Sequence, residues 1–269
     1  MIKLFVSDID GTLFDHTVGV PTENVDALLK LQEKDVKIVL ASGRAIPAMM
    51  EIADKIRLKE NKGYIISSNG AEVFDLFKGE FIHQALIPLD ILRNIYLFCM
   101  KNHLYFSCVQ DDVLYYSFYD QAIEHEKYHG NFKIKQINDI NDIKKDSPKC
   151  SINISINSDS SGMDKFEKEF NSYVSIERLM PWYMDVQAMG QSKKLGLEKL
   201  CHTLSIHMDE VAAIGDGIND ITMLESVGLS ASLKNANHMI QSSVDHVMPS
   251  AKDAGVAHFA HYILKQNAR

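Results

Sequence analysis

The chain has 269 residues, 46% of them hydrophobic and 24% charged, and its 28 basic and 36 acidic residues give a formal net charge of −8. This length allows one large domain or two ordinary ones, and the composition excludes disordered and low-complexity proteins. The acidic balance argues against a dedicated binder of nucleic acid or of an anionic membrane. Any site for an anion must therefore be organised locally.

The cysteines and the apolar runs indicate the expected compartment. Cys99, Cys108, Cys150 and Cys201 are widely spaced and contain no CxxC pair, so neither a zinc ribbon nor a disulfide framework is indicated. The first residues do not read as a signal peptide, and no run of about 18 uncharged apolar residues predicts a membrane span. A cytoplasmic location is expected.

Both ends of the chain alternate strand and helix patterns. Apolar runs at residues 4–6, 36–40 and 64–66 predict buried strands, with helices at 25–31 and 48–56 between them. The pattern returns after residue 187, with a helix at 195–204, strands at 211–214, 229–231 and 246–248, and a closing helix at 256–264. Such alternation predicts a parallel sheet with ligand-binding residues at the carboxyl ends of the strands.

The middle of the chain follows a different pattern from about residue 72. A hairpin is predicted over 72–82, with further strands at 105–109, 113–117, 150–156 and 183–187 and helices at 89–100 and 163–170. Polar and apolar residues alternate in these strands, which is typical of half-exposed antiparallel strands with one face on helices. This region is therefore predicted to be a separate α+β layer.

Two acidic segments follow predicted buried strands. Asp8 and Asp10 precede Gly11, where a backbone without a Cβ allows an anion to approach, although an Asx turn would use the same residues. Asp216 and Asp220 lie in a loop that begins with Gly215 and continues with Gly217. A dinucleotide site is disfavoured there because Asp216 would face a pyrophosphate, whereas Mg²⁺ suits these oxygen ligands. An acidic capping loop is the alternative.

Ser42, Gly43 and Lys193 supply the hydroxyl, amide and positive charge that this acidic set lacks. Each is unremarkable alone, since a serine before a helix is usually a cap and a lysine is usually solvated. Two like charges about 4 Å apart cost roughly 4 kcal/mol at an effective dielectric of 20. A cluster of the four aspartates therefore needs a divalent cation, and a phosphate that joins it needs Lys193 and backbone amides.

Four ordered motifs carry a family resemblance. DIDGT at 8–12, ASGR at 41–44, GQSK at 190–193 and GDGIND at 215–220 resemble the haloacid dehalogenase (HAD) superfamily, and more narrowly its Cof-type class IIB phosphatases, over essentially the whole chain. SSNGAEVFD at 67–75, LKNA at 233–236 and AGVA at 254–257 are also similar to that subgroup. The resemblance implies an α/β fold, with a Rossmann-like parallel-sheet core and an inserted α+β cap of the C2B type.

The resemblance also implies a role for each matching residue. Asp8 would be the nucleophile that becomes an aspartyl phosphate, and Asp10 would be the general acid and base. The implied phosphate contacts are the backbone of Ile9, the Ser42 hydroxyl, the Gly43 amide, Lys193 and Asn219. The implied Mg²⁺ ligands are Asp8, the Asp10 carbonyl and Asp216, with Asp220 orienting them.

Motif spacing locates the cap. Only 31 residues separate Asp10 from Ser42, whereas 150 separate Ser42 from Lys193, so the insert must lie in the second gap. We expect a core of residues 1–84 and 186–269 and a cap of 85–185. The expected function is Mg²⁺-dependent hydrolysis of small phosphomonoesters, such as sugar phosphates, by a monomer or small homo-oligomer. A phosphomutase or phosphotransferase, or a non-catalytic phosphosugar sensor, are the alternatives.

Other residues have open roles. HEKYH at 125–129 matches the zinc-protease pattern HExxH, with His125, Glu126 and His129 as the functional residues, but a polar cap helix explains it better. Four polar or aromatic residues of the insert are either substrate contacts or ordinary core and surface positions: Asp111, Tyr115, Trp182 and Tyr183. Arg44 either reaches the substrate or pairs with an acid. Lys194 stands where the subgroup often has glycine, which affects the loop at Lys193.

Overall fold

The computed structural model describes residues 1–120, 123–124, 132–155 and 158–268. These residues form two compact units. The first unit comprises Met1–Ser42, Met49–His83 and Ser192–Arg269, and the second comprises Gly43–Ala48 and Gln84–Gln191. The sequence-based boundaries of core and cap, after residues 84 and 185, stay a prediction.

The elements are numbered along the chain. The strands are β1 (Leu4–Ser7), β2 (Lys37–Ala41), β3 (Tyr64–Ser67), β4 (Glu72–Asp75), β5 (Glu80–Gln84), β6 (Tyr105–Gln110), β7 (Val113–Tyr116), β8 (Lys133–Gln136), β9 (Lys149–Asn153), β10 (Val174–Met180), β11 (Tyr183–Ala188), β12 (Val211–Ile214), β13 (Leu229–Leu233) and β14 (His246–Met248). The helices are α1 (Thr22–Gln32), α2 (Met50–Lys55), α3 (Leu89–Lys101), α4 (Ser161–Phe170), α5 (Lys193–Leu204), α6 (Ile221–Leu224), α7 (His238–Gln241) and α8 (Gly255–Asn267).

The first unit is built on a sheet of order β14-β13-β12-β1-β2-β3-β4-β5. The pairs from β14 through β3 are parallel, and β4 runs antiparallel to β3. Strands β1 and β12 lie side by side near the centre and are fully buried. This burial on both faces is why their sequences are continuous apolar runs. On one face Phe5 packs against Phe259 of α8, with ring centroids 5.8 Å apart.

The second unit is a six-stranded sheet of order β10-β11-β9-β6-β7-β8. The strands from β10 through β7 pair antiparallel, whereas β7 and β8 are parallel. One face packs on α3 and α4, where Phe98 contacts Phe166 and Phe170 with centroids 5.7 Å and 5.5 Å apart. This arrangement agrees with the antiparallel layer predicted from alternation.

The opposite face of this sheet, here called the polar face, presents Ser107, Lys149, Ser151, Tyr183 and Asp185. Side chains two residues apart share a face of a strand, and the register places Ser151 opposite both Ser107 and Asp185. The sequence predicts half-exposed strands, but Lys149, Ser151 and Asp185 are buried. Hydrogen bonds among these groups compensate for their removal from water.

The sequence-based assignment misses some elements. The single helix predicted over 48–56 is instead a 3-10 turn, Ile46–Met49, followed by α2. Strands β8 and β10 have no counterpart in the prediction, and β8, with the sequence KIKQ, contains a single apolar side chain. In the part of the chain that the structure describes, no helix has the length and apolarity needed to cross a bilayer.

Candidate active site

The site begins where two neighbouring parallel strands end. Ser7 of β1 pairs with Ile214 of β12, and the Asp8 backbone N–H extends this ladder by donating to the Ile214 carbonyl at 3.0 Å. The DIDGT and GDGIND loops therefore leave the sheet at the same edge. This is the position at which open α/β sheets bind their ligands.

Lys193 connects the two loops electrostatically. It is the first residue of α5, and the preceding Ser192 caps that helix by accepting the Leu195 N–H at 3.2 Å. The Lys193 side chain is 0% exposed, and its Nζ lies 2.7 Å from Asp8 Oδ1 and 2.7 Å from Asp220 Oδ1. The alternative of a solvated lysine is therefore wrong. Burial lowers the pKa of Lys193, but attraction to Asp220 and Asp8 outweighs it and raises the pKa above its usual range.

Asp220 holds its own loop together. While one oxygen accepts from Lys193, Oδ2 accepts from the backbone N–H groups of Asp216 and Gly217, at 3.1 Å and 2.9 Å. Asp220 is completely buried. These bonds fix the backbone that carries Asp216.

Asp216 is oriented by the DIDGT loop. Its Oδ1 accepts from the Thr12 hydroxyl at 3.0 Å, and its Oδ2 accepts from Asn235 Nδ2 at 3.2 Å. Gly11, at φ +77°, is the neighbouring backbone, and a Cβ on it would lie 2.3 Å from Asp216 Oδ2. Only glycine therefore allows this carboxylate to approach the loop.

Negative charge exceeds positive charge in this cluster. Asp8, Asp216 and Asp220 offer carboxylate oxygens within 4.8 Å of one another, and among the described residues this is the only group of three or more acid, histidine or cysteine side chains so arranged. Burial, opposed by Lys193 and reinforced by the other two acids, raises the pKa of Asp8 to about 8. Burial also raises the pKa of Asp216 to about 6 against the Thr12 hydrogen bond. Three oxygen donors with surplus negative charge fit a hard divalent cation such as Mg²⁺.

Ser42 and Asn219 belong to the same region of the first unit. The buried Ser42 follows β2, and its carbonyl accepts the Asn69 N–H at 3.0 Å. Asn69 Oδ1 in turn accepts from Asn219 Nδ2 at 3.0 Å. Asn69 has a φ of +52°, in the left-handed region that asparagine tolerates better than most residues. The SSNG segment thus connects two of the predicted phosphate contacts.

The remaining predicted contacts are placed differently. Ile9 is fully buried, and its carbonyl accepts from the N–H groups of Thr12 and Phe14, which closes the loop in which Asp10 is half-buried. Gly43 groups with the second unit, where its carbonyl accepts from Lys149 Nζ at 3.2 Å. The catalytic, phosphate and metal roles assigned to all these residues stay predictions.

Thr12, Asn69 and Asn235 were not assigned roles from the sequence. Each lies in a segment that carries the family resemblance, DIDGT, SSNGAEVFD or LKNA, and that position was the available signal. Lys194, the departure from the subgroup, is partly exposed and lies 3.8 Å from Glu198 Oε1 one helical turn on.

The residues with open roles in the insert have varied surroundings within the second unit. Asp111 pairs with Lys145 at 2.6 Å, the Tyr183 hydroxyl is hydrogen-bonded within the polar face, and Tyr115 and Trp182 pack partly buried against the apolar cluster on the other side. Arg44 Nη1 donates to the Ala48 carbonyl at 3.1 Å. Any contact of these residues with substrate stays a prediction. His125, Glu126 and His129 lie outside the described residues.

The fold and this site define a hydrolase class. The family model for haloacid dehalogenase-like hydrolases matches residues 5–259, and the chain belongs to this family. The predicted family and α/β fold class are confirmed. The predicted enzyme class, a phosphatase, is confirmed, since curated relatives are named phosphatases.

Individual relatives match over nearly their whole length. The 5-amino-6-(5-phospho-D-ribitylamino)uracil phosphatase YcsE of Bacillus subtilis is 24% identical over 265 residues, covering 98% of this chain and 96% of that protein. A haloacid dehalogenase-like hydrolase from Bacteroides thetaiotaomicron is 26% identical, with a TM-score of 0.91 over 98% of this chain and 100% of that one. The HAD subclass IIB sugar phosphatase BT4131 shares the fold at 22% identity, with a TM-score of 0.81 over 97% of this chain and 98% of that one.

Proposed function

We propose that this protein is a Mg²⁺-dependent phosphatase that hydrolyses small phosphomonoesters, sugar phosphates among them, through an aspartyl phosphate on Asp8. The observation that carries the proposal is the buried Asp8 carboxylate, held 2.7 Å from Lys193 and within 4.8 Å of the Asp216 and Asp220 oxygens. The names of YcsE and BT4131 support a small phosphorylated substrate.

The chemistry assigns a different role to each aspartate of the DIDGT loop: Asp8 is the nucleophile, and Asp10 is the general acid and then the general base. An Asp8 carboxylate oxygen attacks phosphorus, and the bond from phosphorus to the leaving oxygen breaks as Asp10 gives that oxygen a proton. Asp10, now ionised, takes a proton from water as the water oxygen attacks the same phosphorus. The bond between Asp8 and phosphorus then breaks, which releases inorganic phosphate and restores both carboxyl groups.

The surrounding residues bind and orient the transferred group. Lys193, the Ser42 hydroxyl, the Gly43 amide and Asn219 hold the phosphoryl oxygens, and the Lys193 ammonium also keeps Asp8 in place. Asp8, the Asp10 carbonyl and Asp216 hold Mg²⁺. When bound, this ion offsets the negative charge that the phosphate brings into an acidic site.

The test is a screen of phosphomonoesters in the presence of Mg²⁺, scored for free phosphate. We expect several sugar phosphates to be hydrolysed by the wild-type chain and none when Asp8→Asn protein or EDTA is used. Full activity of Asp8→Asn protein would disprove the nucleophile. Intact-mass and peptide analysis of Asp10→Asn protein, in which the second step is slowed, should find the phosphoryl group on the peptide that contains Asp8.

The same screen separates the alternatives. A phosphotransferase or phosphomutase would form the adduct on Asp8 but pass it to an added sugar hydroxyl in preference to water. A phosphosugar sensor would bind the esters, seen by calorimetry, and release no phosphate. Either result would replace hydrolysis as the function while leaving the site in place.

A further inference from the structure

Asn235 joins three segments of the first unit through one side chain. It lies two residues after the end of β13, in the LKNA segment. Its Nδ2 donates to the Gly11 carbonyl at 2.8 Å and to Asp216 Oδ2 at 3.2 Å. Its Oδ1 accepts the Ala251 backbone N–H at 2.9 Å.

These bonds fix the direction of the amide. The Ala251 N–H can only be received by the carbonyl oxygen of Asn235, so the NH₂ group must face Gly11 and Asp216. An NH₂ group has two donors, and the two acceptors use both of them. The side chain therefore has one hydrogen-bonded orientation, which delivers a donor to Asp216 Oδ2.

Asp216 then receives one donor on each oxygen. Thr12 donates to Oδ1 and Asn235 donates to Oδ2, and the two donors approach from different loops. Donors on both oxygens define the plane of the carboxylate and leave the remaining lone pairs in fixed directions. Asp220, whose Oδ2 accepts the Asp216 N–H at 3.1 Å, fixes the backbone beneath it.

We propose that Asn235 is a positioning residue, which orients the Asp216 carboxylate for the divalent cation. The inference rests on the proposed function, because it takes Asp216 as a ligand of Mg²⁺. Outer partners of metal ligands typically change metal affinity about 10-fold to 100-fold when they are removed. We therefore expect Asn235→Ala to weaken Mg²⁺ binding by about tenfold or more.

Asn237 provides a matched control from the same loop. Its Oδ1 accepts the Met239 N–H at 3.0 Å and caps α7, with no contact to Asp216. Asn237→Ala removes the same side-chain atoms from a nearby exposed position. It should change thermal stability slightly and leave Mg²⁺ affinity at the wild-type value.

The experiment is calorimetric titration of Mg²⁺ into the full-length wild-type protein, Asn235→Ala and Asn237→Ala, with kcat and the Mg²⁺ concentration for half-maximal activity measured in parallel. We expect weaker Mg²⁺ binding in Asn235→Ala alone, with kcat largely recovered at saturating Mg²⁺. Equal affinity in wild type and Asn235→Ala would overturn it. Wild-type protein that binds no Mg²⁺ would overturn the metal part of the proposed function as well, so the two failures are distinguishable.

A second variant covers the case in which Asn235→Ala does not fold. Asn235→Ser keeps a small hydrogen-bonding group in the loop, but its hydroxyl is too short to span Ala251, Gly11 and Asp216 together. The expected result is the same loss of Mg²⁺ affinity. Wild-type affinity in folded Asn235→Ser protein would contradict the inference.

Discussion

Each unit of the molecule buries a lysine against aspartate, and the two sites differ in their charge balance. In the first unit, Lys193 lies between Asp8 and Asp220. In the second unit, Lys149 Nζ lies 2.9 Å and 3.0 Å from the two oxygens of Asp185. Both lysine side chains are at least nine-tenths buried.

The surroundings of the two lysines differ in how far positive and negative charges balance. Around Lys193, three carboxylates share one ammonium, and burial raises the pKa values of Asp8 and Asp216. Around Lys149, the charge of Asp185 is matched, and the Ser151 hydroxyl donates to the same carboxylate at 2.8 Å. A buried ion pair whose charges balance does not by itself indicate a binding site. Surplus negative charge at the end of a strand is stronger evidence, because a proton or a bound cation must offset it.

The largest expected effect is the loss of activity in Asp8→Asn protein. The asparagine keeps the shape of the side chain, but its amide oxygen is too weak a nucleophile to form the acyl phosphate, so kcat should fall by on the order of 10⁴-fold to 10⁶-fold. Phosphate release from a sugar phosphate measures this. The fold should survive, because the change removes one carboxylate from a site with surplus negative charge.

Lys149→Met tests whether the buried ion pair of the second unit serves stability rather than Mg²⁺ binding. Removing one partner of a buried ion pair leaves a buried charge without compensation and typically costs about 3 to 5 kcal/mol of unfolding free energy. Urea unfolding measures the loss, and Mg²⁺ affinity should stay at the wild-type value.

The matched control is the double variant Lys149→Met/Asp185→Leu. Because apolar residues of similar volume can replace a buried pair at little cost, it should regain most of the lost stability. A Lys149→Met protein as stable as wild type would show that the pair contributes little to the fold. The contrast between the two buried lysines would then need another explanation.

The main features of the first site follow from periodicity and topology and are therefore predictable from the sequence. Continuous apolar runs define β1 and β12, and the carboxyl ends of parallel neighbours must meet at one edge, which brings Asp8 and Asp216 together. Such regularities are encoded locally. The buried pair of Lys149 and Asp185 was not predicted, because the expected strand began at residue 150 and half-exposed side chains were expected where both are buried.

The parts that were missed depend on loops and edges. Thr12, Asn69 and Asn235 orient site residues from irregular segments, where no period fixes the direction of a side chain. Asn69 in particular requires a left-handed backbone that the sequence only suggests through the following glycine. The edge strand β8 was missed because its four residues, KIKQ, contain a single apolar side chain.

Dependence on pH sharpens the contrast between the units. In the metal-free fold the pKa of Asp216 is about 6 and that of Asp8 about 8, both above the ordinary 3.8. A raised carboxyl pKa means that the folded state holds the proton more tightly than the unfolded chain. This contribution to stability is complete below about pH 4 and is lost as the pH rises through about 6 and then about 8.

Titration of stability and of Mg²⁺ binding from pH 5 to 8 checks this. Because Mg²⁺ competes with the proton, its affinity should rise with pH over the range in which metal-free stability falls. Asp216→Asn should flatten the stability change around pH 6.

A carboxylate of the second unit shows the opposite dependence. The backbone N–H groups of Asn138 and Asp139, together with Lys135, lower the pKa of Asp142 to about 2. The stability that Asp142 contributes is therefore lost only as the pH falls from about 4 through 2.

The smallest expected effect comes from removing one hydrogen bond in each unit. Thr12→Val removes the donor to Asp216 while keeping the shape of a buried side chain, and Ser151→Ala removes the donor to Asp185. A hydrogen bond to a charged group is typically worth about 1.5 to 3 kcal/mol. Both variants should lower the free energy of unfolding. If the carboxylate of Asp216 is oriented for a cation and that of Asp185 for Lys149, only Thr12→Val should weaken Mg²⁺ binding, by about tenfold. Equal Mg²⁺ affinities in the two variants would mean that the Thr12 bond serves the fold alone.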